Sequence, residues 1–131
     1  MILNTALTCL ALNLYFEARS EPLLAQVSVG QVTLNRVSHS RYPNTICGVV
    51  TQKSQFSWFS DGLSDKPKEK AAWGRALALA ELMLEKPIKV TCVGKSTHYH
   101  ADYVRPYWAK AKFFKKTCQV GTHIFYKETS A

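Results

Sequence analysis

The first sixteen residues, Met1 to Phe16, carry no charged side chain. Leu3, Ala6, Leu7, Leu10, Ala11, Leu14 and Ala18 recur at helical spacing, which predicts a helix over residues 3–18. A helix without charge on any side belongs inside a protein or a bilayer. No window holds the roughly 20 apolar residues a membrane span needs, and Asn4 and Asn13 interrupt the run. A secretion leader is a poor match as well, because the first cation is Arg19 and the basic leading segment is missing. The run therefore reads as the first buried helix of a domain. The expectation is a protein made in the cytoplasm without a signal peptide and without stable membrane insertion.

Around that helix the 131 residues allow one domain, 1–131. Ser20-Glu21-Pro22 breaks the chain, because the residue before a proline avoids the α region and proline suits a helix start. A second helix follows to about Ser38, with Leu23, Val27, Gly30, Leu34 and Val37 on one face. Residues 39–66 show no sustained period, and so long an irregular stretch within a compact domain is usually functional. Pro67 opens a third helix and Pro87 stops it. Ile88 to Val93 alternates and is β-branched, so it reads as a strand. Thr97–Ala101 and His123–Tyr126 read as two more. The expected class is α+β, with helices first and then a small antiparallel sheet.

Seventeen Lys and Arg against nine Asp and Glu give a net charge of +8. That balance points to an anionic partner: nucleic acid, acidic lipid or an acidic polymer such as bacterial cell wall. Cys9, Cys47, Cys92 and Cys118 form no C-x-x-C pair, so a zinc knuckle is not indicated. They read as buried thiols of a cytoplasmically made protein. Three pairings stay open if they are oxidised.

With only nine acids, each can be weighed. Glu17 ends the uncharged helix directly after Tyr15-Phe16. A carboxyl among aromatic and aliphatic groups loses hydration, which favours its protonated form and suits a general acid near neutral pH. The competing role is an ion pair with one of the many cations. Glu21 lies four residues on; Pro22 makes a role at the start of the second helix the better physical reading. His98 and His100 share one strand face, and His123 would complete a three-histidine zinc set. Histidines that hydrogen-bond or stack without metal are the commoner case. Phe56, Trp58, Phe59, Tyr99, Tyr103, Tyr107 and Trp108 interleave with Gln55, Ser57, Asp61 and Arg105 as in a groove whose flat faces meet sugars or bases.

The stretch Asn13-Leu14-Tyr15-Phe16-Glu17-Ala18-Arg19-Ser20-Glu21-Pro22 resembles the opening motif of the SleB/CwlJ-type cell wall hydrolases. Gln31–Val37, Gln55-Phe56-Ser57, Thr97–His100, Arg105–Ala109 and Gly121–Tyr126 resemble further family motifs in the same order. The family usually has glycine where this chain has Ser20, and often where it has Ser54. The resemblance implies a lysozyme-like fold and cleavage of peptidoglycan between N-acetylmuramic acid and N-acetylglucosamine. It makes Glu17 the catalytic glutamate. It implies transglycosylation to 1,6-anhydro products, which needs one carboxylate; hydrolysis would need a second from Glu21, Asp61 or Asp102. Glu21, Gln55, Phe56, Ser57, His98, Tyr99, His100, Tyr107 and Trp108 are the expected substrate contacts. No metal or cofactor is expected. The partner is peptidoglycan rather than nucleic acid, the protein a monomer acting on the cell wall, and a phage endolysin the expected setting. The rivals are a zinc-dependent peptidase or amidase using His98, His100 and His123, and a basic nucleic-acid-binding module.

Overall fold

A computed structural model describes residues 5–52, 67–86 and 88–129. Four α-helices precede a three-stranded sheet among these residues, as the α+β expectation requires. Helix α1, Ala6–Ala18, begins where the Thr5 side chain accepts the Thr8 N–H at 3.1 Å. Its residues Cys9 to Tyr15 are all buried. Helix α2 spans Leu23–Val37, α3 spans Ile46–Thr51 and α4 spans Lys70–Glu85. All three pack against α1, which explains why α1 carries no charge before its last turn. The Tyr15 hydroxyl accepts the N–H groups of Lys68 and Glu69 at 3.1 and 3.0 Å. It thereby supplies what the uncapped start of α4 lacks.

Strands β1 (His98–Ala101), β2 (Phe114–Val120) and β3 (His123–Glu128) form an antiparallel sheet in the order β1-β3-β2. A 3-10 turn, Tyr107–Lys110, lies between β1 and β2. Side chains alternate across β1, so the paired rows His98–Tyr126 and His100–Ile124 occupy one face. Tyr99–Phe125 and Ala101–His123 occupy the other. The second face is the inner one: Phe125 and Val120 pack there with Ala18, Ala25, Val29 and Val32.

Two expectations are corrected, and two elements appear that the sequence did not reveal. Residues 88–93 are not a strand. They enter a run of turns in which Val93 N–H donates to Val90 O at 3.2 Å. Gln31 of α2 donates to the carbonyls of Val90 and Gly94 and accepts the Val90 N–H at 2.7 Å, so a side chain takes the backbone groups a neighbouring strand would have paired. Strand β2 went unpredicted because a bulge between Lys116 and Cys118 breaks its alternation. The cysteines are not thiols: Cys9 is joined to Cys47, tying α1 to α3, and Cys92 to Cys118, tying the turn after residue 90 to β2. Within residues 39–66, which show no sustained period, Ile46–Thr51 forms helix α3, capped by Thr45, whose hydroxyl accepts the Gly48 N–H at 3.0 Å.

Candidate active site

Glu17 sits in the last turn of α1, half-buried where the helix meets the inner face of the sheet. Its Oε1 accepts a hydrogen bond from the Tyr99 hydroxyl at 2.7 Å. Tyr99 reaches it because β1 turns odd-numbered side chains inward. One turn earlier on α1, Asn13 is fully buried, and its Oδ1 accepts from the Thr33 hydroxyl of α2 at 2.6 Å. Arg36, also buried on α2, donates from Nε to the Thr97 carbonyl at 2.7 Å and adds positive potential near Glu17. Arg19 pairs with Glu69 instead of Glu17, as expected for residues two apart on a helix.

Burial pushes the Glu17 carboxyl above its ordinary range, against the opposing pull of the Tyr99 hydrogen bond and Arg36. Burial and the facing Glu17 together raise the Tyr99 phenol well above its ordinary value, so it stays a donor. A carboxyl whose protonated form is favoured by burial and which is held by a fixed donor is suited to deliver a proton to a bound acceptor.

Glu21 has a different place from the one expected. It does not cap α2, whose N-terminus at Pro22 has no side-chain cap. Its Oε1 accepts the Thr122 N–H and its Oε2 the Thr122 hydroxyl, both at 3.0 Å. His123 Nδ1 stands 3.6 Å from Oε1. Burial alone would raise the Glu21 carboxyl, but the Thr122 bonds and His123 outweigh it and the net shift is downward. The His123 ring lies 5.2 Å from the Tyr99 ring. A row therefore runs along the inner face from Glu17 through Tyr99 and His123 to Glu21.

The other expected contacts lie elsewhere. His98 and His100 are on the outer face, against Trp108 at ring-centre distances of 5.1 and 5.7 Å. His100 also stacks on Tyr126, with Nε2 2.9 Å from its hydroxyl. Tyr107 projects into solvent, 92% exposed. The structure thus separates His98 and His100 from the Glu17 side, because neighbours on a strand cannot share a face, and Trp108 of the 3-10 turn packs with them. The same alternation breaks up the proposed zinc set: His123 is on the inner face, and the described residues offer no cluster of three metal-binding side chains. Asp102 is exposed and accepts from Gln119 Nε2 at 3.1 Å. Gln55, Phe56, Ser57 and Asp61 lie outside the described residues. Sequence reasoning missed Asn13, Thr33 and Arg36. For Asn13 the available signal was a polar residue in the middle of an uncharged helix, one turn ahead of Glu17; Thr33 and Arg36 lie on a helix with several polar residues and carried no such signal.

A family model described as Cell Wall Hydrolase matches residues 20–126. A spore cortex-lytic enzyme of Oceanobacillus iheyensis is 30% identical over 115 residues, covering 86% of this chain and 38% of the relative. One of Bacillus cereus is 46% identical over 48 residues, covering 37% of this chain and 18% of the relative. The chain thus spans well under half the length of these curated relatives. Among solved structures, the catalytic domain of the germination-specific lytic transglycosylase SleB from Bacillus anthracis matches with a TM-score of 0.71 at 29% identity, over 93% of both chains. The catalytic domain of the Bacillus cereus SleB protein matches with a TM-score of 0.69 at 28% identity, over 93% of this chain and 89% of that one. The helices-then-sheet arrangement is that of the SleB catalytic domain.

Proposed function

The chain belongs to the cell wall hydrolase family, and we propose that it cleaves the glycan strand of peptidoglycan between N-acetylmuramic acid and N-acetylglucosamine, as a lytic transglycosylase with Glu17 as its acid and base. The observation that carries this reading is the half-buried Glu17 carboxyl, raised by burial and hydrogen-bonded to Tyr99. Protonated Glu17 gives its proton to the glycosidic oxygen as the bond to the muramic C1 breaks through an oxocarbenium-like state. The resulting carboxylate takes the proton of the muramic C6 hydroxyl while that oxygen bonds to C1. The anhydro ring closes, Glu17 is again protonated, and no water is consumed.

Two further points support transglycosylation over hydrolysis. Both oxygens of Glu21 are occupied by Thr122, and Asp102 is exposed and bonded to Gln119. Of the candidate second acids among the described residues, neither is therefore a free base for activating water beside Glu17; Asp61 lies outside them. The likeness to a solved lytic transglycosylase domain points the same way. Gln55, Phe56 and Ser57, which follow α3 in the sequence, are the proposed saccharide contacts.

The test is digestion of purified peptidoglycan followed by mass spectrometry. Wild type releases 1,6-anhydro-muropeptides, and Glu17→Gln loses about 10²–10⁴-fold in rate while keeping its fold by circular dichroism. Near wild-type lysis by Glu17→Gln refutes the assignment of the acid. Products carrying only free reducing ends refute transglycosylation and leave glycan hydrolysis.

A further inference from the structure

We propose that Tyr99 is a positioning residue that decides which oxygen of Glu17 carries the transferable proton: Oε1 is held as an acceptor, and Oε2 alone does the chemistry. The inference rests on Glu17 being the acid. It replaces the substrate-contact role that the sequence suggested for Tyr99.

The geometry supplies a direction. The Thr33 hydroxyl donates to Asn13 Oδ1 at 2.6 Å, which fixes the Asn13 amide with its oxygen toward α2. Asn13 Nδ2 is then left buried and without a hydrogen-bond partner of good geometry among the described residues. It lies on the Tyr99 side, close enough to favour the phenolate form of that ring. The Tyr99 oxygen thus faces an amide donor, and its own hydrogen is left for Glu17, 2.7 Å away. A carboxyl oxygen that accepts such a bond is the carbonyl oxygen of the protonated acid, so the acidic hydrogen sits on Oε2. That oxygen gives its proton to the glycosidic oxygen and later takes the one from the C6 hydroxyl.

Tyr99 does more than orient. A hydrogen bond to a carboxylate is stronger than one to a neutral carboxyl. The Tyr99 bond therefore strengthens as Glu17 gives up its proton, and stabilisation that grows toward the transition state raises kcat instead of lowering KM. The Tyr99 ring is held independently, 5.6 Å from Phe125 and 5.2 Å from His123, so removing the hydroxyl leaves the packing in place.

The experiment is kinetics of Tyr99→Phe on soluble peptidoglycan fragments across pH. Expected are a kcat lower by about ten- to a hundredfold, the worth of one hydrogen bond to a charged group, a KM within about twofold of wild type, and an alkaline limb of the kcat/KM profile moved to higher pH, because Glu17 has lost a donor that lowered its pKa. Thr33→Val moves that limb in the same direction by less, Thr33→Ser restores it, and Thr33→Val adds nothing in the Tyr99→Phe background. An unmoved alkaline limb in Tyr99→Phe overturns the proposal, as does a raised KM with unchanged kcat, which would make Tyr99 a substrate contact. If Glu17→Gln stays active, the acid assignment itself fails; if Glu17→Gln is inactive and the Tyr99→Phe limb is unmoved, only the positioning role fails.

Discussion

Gly121→Ala is expected to destabilise the protein far more than its small size suggests, and the reason lies in Glu21. Gly121 and Thr122 make the tight connection between β2 and β3, with Gly121 at φ +59°. A side chain in that left-handed region costs about 1–2 kcal/mol by itself. The added Cβ would also stand 2.5 Å from Glu21 Oε1 and 3.1 Å from the Ala25 Cβ. Glu21 cannot swing aside freely, since Thr122 holds both of its oxygens. Displacing it gives up a charge-assisted hydrogen bond worth about 1.5–3 kcal/mol. The expected total is about 2.5–5 kcal/mol. Gly94→Ala is the internal control: φ is +52°, but its nearest neighbour would be the Thr91 carbonyl oxygen at 3.7 Å, so only the backbone cost of about 1–2 kcal/mol applies. Urea unfolding with the disulfides intact reads both as shifts in midpoint at constant slope. In a Glu21→Ala background, Gly121→Ala should fall to the Gly94→Ala value, since the two sites are coupled through one carboxylate. Equal costs for the two alanines in the wild-type background, or a Gly121→Ala cost that persists without Glu21, refutes the reasoning.

Two further outcomes follow from the same structure. Replacing the Cys9–Cys47 pair by alanines should cost about 4 kcal/mol and the Cys92–Cys118 pair about 3.5 kcal/mol, from the loops of 38 and 26 residues they close; non-reducing peptide mapping checks the pairing, and crossed peptides would contradict it. Burial, reinforced by Arg36, pushes His98 from 6.5 down to about 4. Between those pH values the unfolded chain binds more protons, so His98's contribution is full above about pH 6.5 and is lost as pH falls toward 4; His98→Gln should flatten the stability slope in that window, and an unchanged slope in urea unfolding at pH 4, 5.5 and 7 would contradict it.

How much of this could be read from the residues depends on how local each signal is. Helix α1 was legible because an uncharged helical run has one place to go, and Glu17 stood out as the charge that ends it. Helix α3 was not, since Ile46–Thr51 is too short to show a period. Strand β2 hid behind its bulge, and residues 88–93 showed a strand's alternation because Val93 turns into the core while α2 side chains serve the backbone. The disulfides join residues 38 and 26 positions apart, a distance at which sequence carries no pairing information. The site was half legible. His98, Tyr99 and His100 look like one constellation when written in a row. The two-residue period of a strand already forbids Tyr99 from sharing a face with its neighbours, and which face meets α1 is decided by packing alone.

That division places the weight of the site on strand register. Glu17 is fixed by a helix surrounded on several sides, and its backbone has little freedom to search for a partner. Tyr99 meets it only while β1 keeps Tyr99 opposite Phe125 on β3. A slip of one residue would turn every side chain of β1 to the other face and present an imidazole from His98 or His100 where the phenol belongs. Neither histidine could do the same work. The Tyr99 hydroxyl stays a donor because its phenol is raised well above its ordinary value, whereas an imidazole carries its ring nitrogens at other positions and presents a donor or an acceptor according to its tautomer. At the turn that begins β3, Thr122 is gripped from two sides: its N–H and hydroxyl by Glu21, four residues after Glu17 in sequence, and its carbonyl by the Asp102 N–H at 2.7 Å, where β1 ends. A single corner of the chain, Glu17 to Pro22, therefore carries the acid at one end and, at the other, the clasp that keeps its donor in register.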